Sequence, residues 1–280
     1  MKPFEGREVS PQPFIEKLKS NELFQKLAVP ITSGKFPLIR DAEFYIRRDG
    51  LIINAEGWHH PSEKLIGEIL YAPYVEGDRL IFGQKYRKVT LYSGTYTPVP
   101  YVKRQEMLGK YGLNLEKTDG NPYFARYKQI FNRSDFADYL PAHEVLQKIA
   151  GELATPEDPI SLGIQYFQRL LDVDMNNVSL GITGGSLVGN FRNLHDLDIV
   201  IQGSLEENLR IAKRIWGLVK RDSFKRVMEG GKGWNIRFYN KDRGILICSF
   251  FSYKNPEDAP LKDFEMKVIS AIDPATTGTR

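Results

Sequence analysis

Two aspartates, Asp196 and Asp198, stand two positions apart at the start of the apolar run 199–201. Residues two apart on a β-strand project to the same face, so this spacing predicts that both carboxylates share one face. Two carboxylates held this close repel each other unless a cation lies between them. Magnesium prefers oxygen ligands and bridges to substrate phosphates, so the pair predicts a catalytic Mg²⁺ site.

A glycine-serine turn, Gly184-Gly185-Ser186, follows a short apolar run and precedes the two aspartates. Glycine lets the backbone approach a phosphate closely, and consecutive turn amides bind an anion. The Ser186 hydroxyl adds one donor. We expect residues 187–194 to form a short helical turn. The glycine-serine turn, which would bind phosphate, and the aspartate pair, which would bind metal, would then converge on one triphosphate. Such a site permits in-line attack at the α-phosphorus with pyrophosphate leaving.

Two basic residues further along the chain are candidates for phosphate contacts. Lys232 lies in a glycine-rich segment, and Arg237 lies between two apolar residues of an expected strand. The alternatives are a solvated lysine and an arginine paired with a structural acid. For the aspartate pair, the alternative is a surface turn with solvated acids.

The same residues carry a resemblance to a known family. Gly185-Ser186 followed by Asp196-Leu197-Asp198 resembles the signature of the DNA polymerase β-type nucleotidyltransferase superfamily. The longer strings 181–189 and 196–201 are similar to a predicted nucleotidyltransferase group of archaea and some bacteria, and residues 57–61 and 65–71 resemble that group more loosely. The resemblance implies that Gly185 and Ser186 contact nucleotide phosphates and that Asp196 and Asp198 bind metal.

The implied reaction is transfer of a nucleoside monophosphate from an NTP to an acceptor, with one magnesium ion or two. The superfamily usually supplies a third carboxylate from a later strand, but the expected strand 245–251 has no Asp or Glu. Asp242 and Glu229 are the remaining candidates. Two rivals therefore stay open: a catalytically inactive module that binds nucleotide or RNA, and a structural protein in which the aspartates merely solvate a strand end.

Composition narrows the class of protein. The hydrophobic fraction of 41% and the charged fraction of 26% are ordinary globular values. Residues 1–10 lack the apolar segment of a signal peptide. No apolar run approaches the ~20 residues that a membrane span needs. The single cysteine, Cys248, allows no intrachain disulfide. These features predict a soluble, cytoplasmic protein without a membrane partner.

Basic charge is concentrated in one segment of the chain. Residues 205–243 contain eleven Lys and Arg against five Asp and Glu, although the net charge of the whole chain is only +4. This excess favours an anionic partner, such as RNA or another polyanionic acceptor. The alternative is a solvated helix face. The sequence does not indicate the acceptor or the oligomeric state.

The elements around these residues predict an α/β (α+β) fold: a nucleotidyltransferase-type mixed sheet with helices, and a β-rich N-terminal domain. Asp49-Gly50 predicts a hairpin, the range 101–175 has a helical period, and Ser204 to Glu207 forms a capping box. The domain boundary is expected near Pro156, between a β-rich accessory domain with linking helices (1–155) and a nucleotidyltransferase-like domain (156–280). The other expected strands are 64–71, 79–82, 86–92, 178–182, 197–201, 233–239 and 244–251.

Overall fold

The computed structural model describes residues 11–32, 35–56, 60–89, 106, 108–109, 115–117, 127–171, 179–192, 197–219, 224–226, 235–240 and 245–253. The fold of these residues is α+β. The chain divides into two units, Met1–Leu140 and Pro141–Arg280. Within the described residues, no helix combines the length and the apolar character that crossing a membrane requires.

The N-terminal unit is built on one antiparallel sheet that curls around its core. In the described residues its strand order is β1-β9-β2-β3-β4-β6-β5, and β8 pairs with both β4 and β7. The ten-residue β4 holds the sheet together, because β8 pairs along its first half and β6 along its last three residues. The strands are β1 (Val29–Pro30), β2 (Phe44–Arg47), β3 (Ile52–Ala55), β4 (Lys64–Pro73), β5 (Arg79–Ile81), β6 (Gln84–Lys88), β7 (Leu115–Lys117), β8 (Tyr127–Asn132) and β9 (Phe136–Leu140).

The hairpin predicted at Asp49-Gly50 is confirmed, since β2 and β3 pair antiparallel across it. Gly50 has a φ of +87°, and a Cβ there would lie 2.7 Å from ring carbons of Phe14. Both the left-handed backbone and the close approach of the ring require glycine. Arg47 closes the turn through an ion pair with Asp49.

Two short helices, α1 (Pro11–Lys19) and α2 (Glu22–Leu27), pack on the β5–β6 region. The rings of Phe14 and Tyr86 meet edge to face at 5.4 Å. Phe24 meets Phe82 in the same way at 5.3 Å. Asn21 caps α2, because its Oδ1 accepts from Phe24 N at 3.0 Å.

The C-terminal unit contains a mixed sheet. Its order over the described strands is β10-β11-β14-β13-β12, in which β11 and β14 are parallel and the other pairs antiparallel. Of β12, β13 and β14 only the backbone is described. The elements are α3 (Ala142–Lys148), a π-helical turn (Ile149–Leu153), α4 (Pro159–Leu171), β10 (Ser179–Ile182), α5 (Gly184–Leu187), β11 (Leu197–Gly203), α6 (Leu205–Val219), β12 (Phe224–Arg226), β13 (Asn235–Asn240) and β14 (Ile245–Tyr253).

Two sequence predictions need correction. The helical period expected across 101–175 is wrong for residues 115–117, 127–132 and 136–140, which form β7, β8 and β9. The helical turn expected at 187–194 instead occupies Gly184–Leu187, so it begins at the glycines. The two structural units divide between Leu140 and Pro141, and α3 packs on β10; the domain boundary expected near Pro156 stays a prediction.

The predicted capping box at the start of α6 is present in its first half. Ser204 Oγ accepts from Glu207 N at 3.3 Å, which satisfies one of the backbone donors of the first turn. Glu207 does not reach back along the chain but pairs with Arg210 at 2.8 Å. The helix therefore begins where the sequence predicts, with one capping bond and one intrahelical ion pair.

Candidate functional site

The site is positioned by the antiparallel pairing of β10 and β11. Ile182, the last residue of β10, lies opposite Ile199. One residue further out, Thr183 N donates to Asp198 O at 3.1 Å. The chain then turns into α5, so the glycine turn begins directly beside the first residues of β11.

Gly184 and Asp198 are in direct contact. Gly184 has a φ of +63°, and a Cβ at this position would overlap Asp198 Oδ2. Only glycine combines this left-handed backbone with room for the carboxylate. The structure therefore brings the predicted glycine turn and one predicted aspartate together, with the carboxylate lying over the backbone of Gly184.

The one-turn helix α5 closes with two backbone hydrogen bonds. Gly189 N donates to Ser186 O at 3.1 Å, and Asn190 N donates to Gly185 O at 3.0 Å. Gly189 has a φ of +92°. This combination is the Schellman motif, in which a left-handed glycine reverses the chain at a helix end. The reversal carries Asn190 back beside Gly185.

Burial distinguishes the groups of the turn that face outward. Ser186 is only 2% exposed, and Thr183 is also buried. Gly184, Gly185 and Asp198 are half-buried, and Asn190 is exposed. The outward surface of this turn is therefore formed by glycine backbone, the Asp198 carboxylate and the Asn190 carboxamide.

The strand beside β11 carries no acidic residue. β14 runs parallel to β11, with Cys248 opposite Asp198. On the next strand Arg237 lies opposite Cys248, so positions 198, 248 and 237 form one row across the sheet. The row places the Arg237 backbone two strands from Asp198. Within β14 the sequence offers no third carboxylate.

Other predicted residues lie outside the described residues. These are Asp196, Lys232, Asp242 and Glu229. Among the residues that are described, no three or more His, Cys, Asp or Glu side chains are grouped so as to hold a metal ion. Asp198 supplies one hard oxygen donor of the kind magnesium prefers. Asp196, the second carboxylate that the sequence predicts for a magnesium site, is not among the described residues.

Two contacts that the sequence did not suggest fix the strands of the site. His143 Nδ1 lies 2.7 Å from Leu180 O, so the ring N–H donates from α3 to β10. A Cβ on Gly163 would lie 2.8 Å from Leu197 Cδ2, so α4 approaches the first residue of β11 closely. In the sequence, His143 reads as an ordinary helix residue. The hydrogen bond to Leu180 O can be recognised only when the packing of α3 on β10 is known.

An apolar cleft of about 280 Å³ lies between the end of α3 and α4. It is lined mainly by small and aliphatic side chains, and neither the glycine turn nor Asp198 contributes to it. The cleft is therefore not part of the site. Its apolar lining residues are Leu146, Ala150, Ala154, Pro156, Ile160 and Ile164.

Comparisons with protein-family models, with curated proteins and with solved structures found no match to this chain.

Proposed function

We propose that the C-terminal unit is a magnesium-dependent nucleotidyltransferase that transfers a nucleoside monophosphate from an NTP to an acceptor. The observation that carries this proposal is the contact between Gly184 and the Asp198 carboxylate. A glycine turn that can receive phosphate and a carboxylate that can hold its counter-ion lie side by side. The mixed sheet and the sequence signature agree with a fold of nucleotidyltransferase type.

Each group has a distinct role in this proposal. The backbone of Gly184 and Gly185 receives the phosphates, because glycine lets an anion approach the amides closely. Asp198 and Asp196 hold the metal. Ser186, which the sequence predicts as a phosphate donor, is buried, so the proposal gives the phosphate contacts to the glycine amides. Bound magnesium would neutralise the triphosphate and polarise its phosphoryl oxygens. Lys232 and Arg237 belong to the proposal as further phosphate contacts.

In the proposed reaction an acceptor oxygen attacks the α-phosphorus. The new P–O bond forms as the bond to the β-phosphate oxygen breaks, and pyrophosphate leaves. The site accelerates this step by holding the triphosphate in line with the acceptor. The basic segment 205–243 favours RNA or another polyanion as acceptor. A cytoplasmic location, where magnesium nucleotides are available, is part of the same proposal.

One observation favours a second candidate, a nucleotide- or RNA-binding module without catalysis. The acceptor must lose a proton, and in the superfamily a third carboxylate on a later strand serves this step. Here Cys248 lies opposite Asp198 on the neighbouring strand β14. Because β14 has no Asp or Glu, the chain can bind nucleotide at this turn and still lack a base for transfer.

Two measurements on the full chain separate the candidates. Titration calorimetry with each common NTP and magnesium measures binding, and a coupled assay measures pyrophosphate release with RNA present. We expect Asp198→Asn to weaken magnesium-dependent binding about tenfold or more, because a charged contact contributes about 1.5–3 kcal/mol. The matched control is Asp78→Asn, an exposed aspartate of the N-terminal unit.

The outcomes are distinct. Binding with pyrophosphate release supports the enzyme, and binding without release supports the binding module. Equal affinity of Asp198→Asn and the wild type would refute both, and Asp198 would then merely end a strand.

A further inference from the structure

We propose that the Asn190 carboxamide is a further phosphate-binding group of this site, an inference that rests on the proposed nucleotide function. A Cβ built on Gly185 would lie 3.8 Å from Asn190 Nδ2. The amide nitrogen thus lies at ordinary contact distance from the side-chain direction of Gly185, whereas the Asp198 carboxylate lies closer, over Gly184. An acceptor for the cation and a donor for the anion flank two consecutive glycines.

The local fold does not explain an asparagine at this position. In a Schellman motif the residue after the left-handed glycine contributes only its backbone N–H. Its side chain commonly makes an apolar contact with the residue five positions earlier. Here that residue is Gly185, which has no side chain, and Asn190 is exposed. Folding therefore needs the amide hydrogen of residue 190 but not its carboxamide.

The chemistry of the carboxamide suits a phosphate. Its NH₂ group offers two donors and no charge, so it can bind phosphate oxygens without competing with Asp198 for the metal. Within the described residues, no hydrogen bond of the Asn190 side chain is present. Because Ser186 is buried, Asn190 is the exposed side-chain donor of this turn. The ligand it would bind is the triphosphate of an NTP rather than its base.

The test compares Asn190→Ala and Asn190→Asp with the wild type, using MgATP and magnesium tripolyphosphate as separate probes in calorimetry. Tripolyphosphate carries the phosphates without the nucleoside. We expect Asn190→Ala to lower the affinity for both probes about tenfold, as the loss of one hydrogen bond to a charged group does. Asn190→Asp should lower both affinities further, because it places a second negative charge beside the phosphates. Gln165→Ala, which removes an exposed carboxamide from α4, is the matched control.

The thermal unfolding midpoint separates binding from folding. Since residue 190 keeps its N–H in both variants, we expect the midpoint to stay within about 1 °C of wild type. A midpoint that falls with the affinity would overturn the inference, because Asn190 would then be structural. Loss of affinity for MgATP alone would also overturn it and assign the amide to the nucleoside.

The two proposals can fail separately. If the wild type binds MgATP and Asn190→Ala binds it equally well, the role of Asn190 is refuted and the proposed function stands. If the wild type binds neither probe, the proposed function fails and the role of Asn190 fails with it. If Asn190→Asp binds both probes as tightly as the wild type does, no donor is needed at position 190. That result would refute the role of Asn190 and leave the proposed function standing.

Discussion

Replacing Gly184 with alanine perturbs the contact on which the proposed site depends. The backbone there has a φ of +63°, and the new Cβ would overlap Asp198 Oδ2. The neighbouring Gly185 is a matched control in the same turn. It lies outside the left-handed region, and its Cβ would make only an ordinary contact with Asn190 at 3.8 Å.

The expected loss of stability has two parts. A left-handed backbone costs an alanine about 1–2 kcal/mol. Forcing a methyl group against a packed side chain costs a further ~1–3 kcal/mol. Gly184→Ala should therefore lower the free energy of unfolding by roughly 2–5 kcal/mol. Gly185→Ala should leave it unchanged or raise it by up to about 1 kcal/mol, because alanine favours helix.

Urea unfolding followed by circular dichroism measures this difference, and NTP calorimetry measures its effect on the site. A loss of about 2 kcal/mol corresponds to a drop of at least about 4 °C in the thermal midpoint. Nucleotide affinity should fall with Gly184→Ala, since the carboxylate must move to make room. Gly185→Ala is the control for stability only, because the Gly185 backbone is itself a proposed phosphate contact.

A double-mutant cycle isolates the overlap. In an Asp198→Ala background the carboxylate is gone, so Gly184→Ala should cost only the backbone part, about 1–2 kcal/mol. If Gly184→Ala costs the same in both backgrounds, the two residues do not touch in solution. Equal stability of the two glycine variants would refute the left-handed backbone as well.

Two further predictions concern stability alone. Ser204→Ala should lower the free energy of unfolding by about 1 kcal/mol, because it removes the cap on Glu207 N; a urea midpoint equal to that of the wild type would contradict it. Asp138 is 2% exposed and lies 3.4 Å from Lys19 Nζ, and burial raises the pKa of its carboxyl above the usual range despite that ammonium group. The folded protein then binds this proton more tightly than the unfolded chain, so wild-type stability falls as the pH rises from about 4 through the raised pKa. The free energy of unfolding of Asp138→Asn should therefore increase relative to that of the wild type as the pH rises, which urea titrations measure. A difference that does not change with pH would refute this.

Local patterns in the sequence predicted elements whose cause is itself local. Asp49-Gly50 predicts its hairpin because glycine alone tolerates the turn, and Ser204 predicts the start of α6 because its hydroxyl caps the first turn. The contact between Gly184 and Asp198 depends instead on the pairing of β10 with β11, and the binding roles expected for these residues stay predictions.

Features set by distant partners could not be predicted. β9 lies between β1 and β2, whose partner residues are some ninety positions or more away, so its strand state comes from pairing rather than from its own pattern. The division between Leu140 and Pro141 also depends on such packing, since α3 packs on β10. Asn190 was missed although Gly189 before it signals a helix end. Its position over Gly185 follows only once that end is known.

The strand order of the C-terminal sheet has a consequence for synthesis on the ribosome. β14 lies between β11 and β13, although it is the last of the three to be made. Until residues 245–253 leave the exit tunnel, β11 has an unpaired edge, and the β12–β13 ribbon has no strand through which to join it. The pairing of β11, the strand that carries Asp198, is thus completed only when β14 emerges. We therefore expect a nascent chain stalled before residue 245 to lack nucleotide binding.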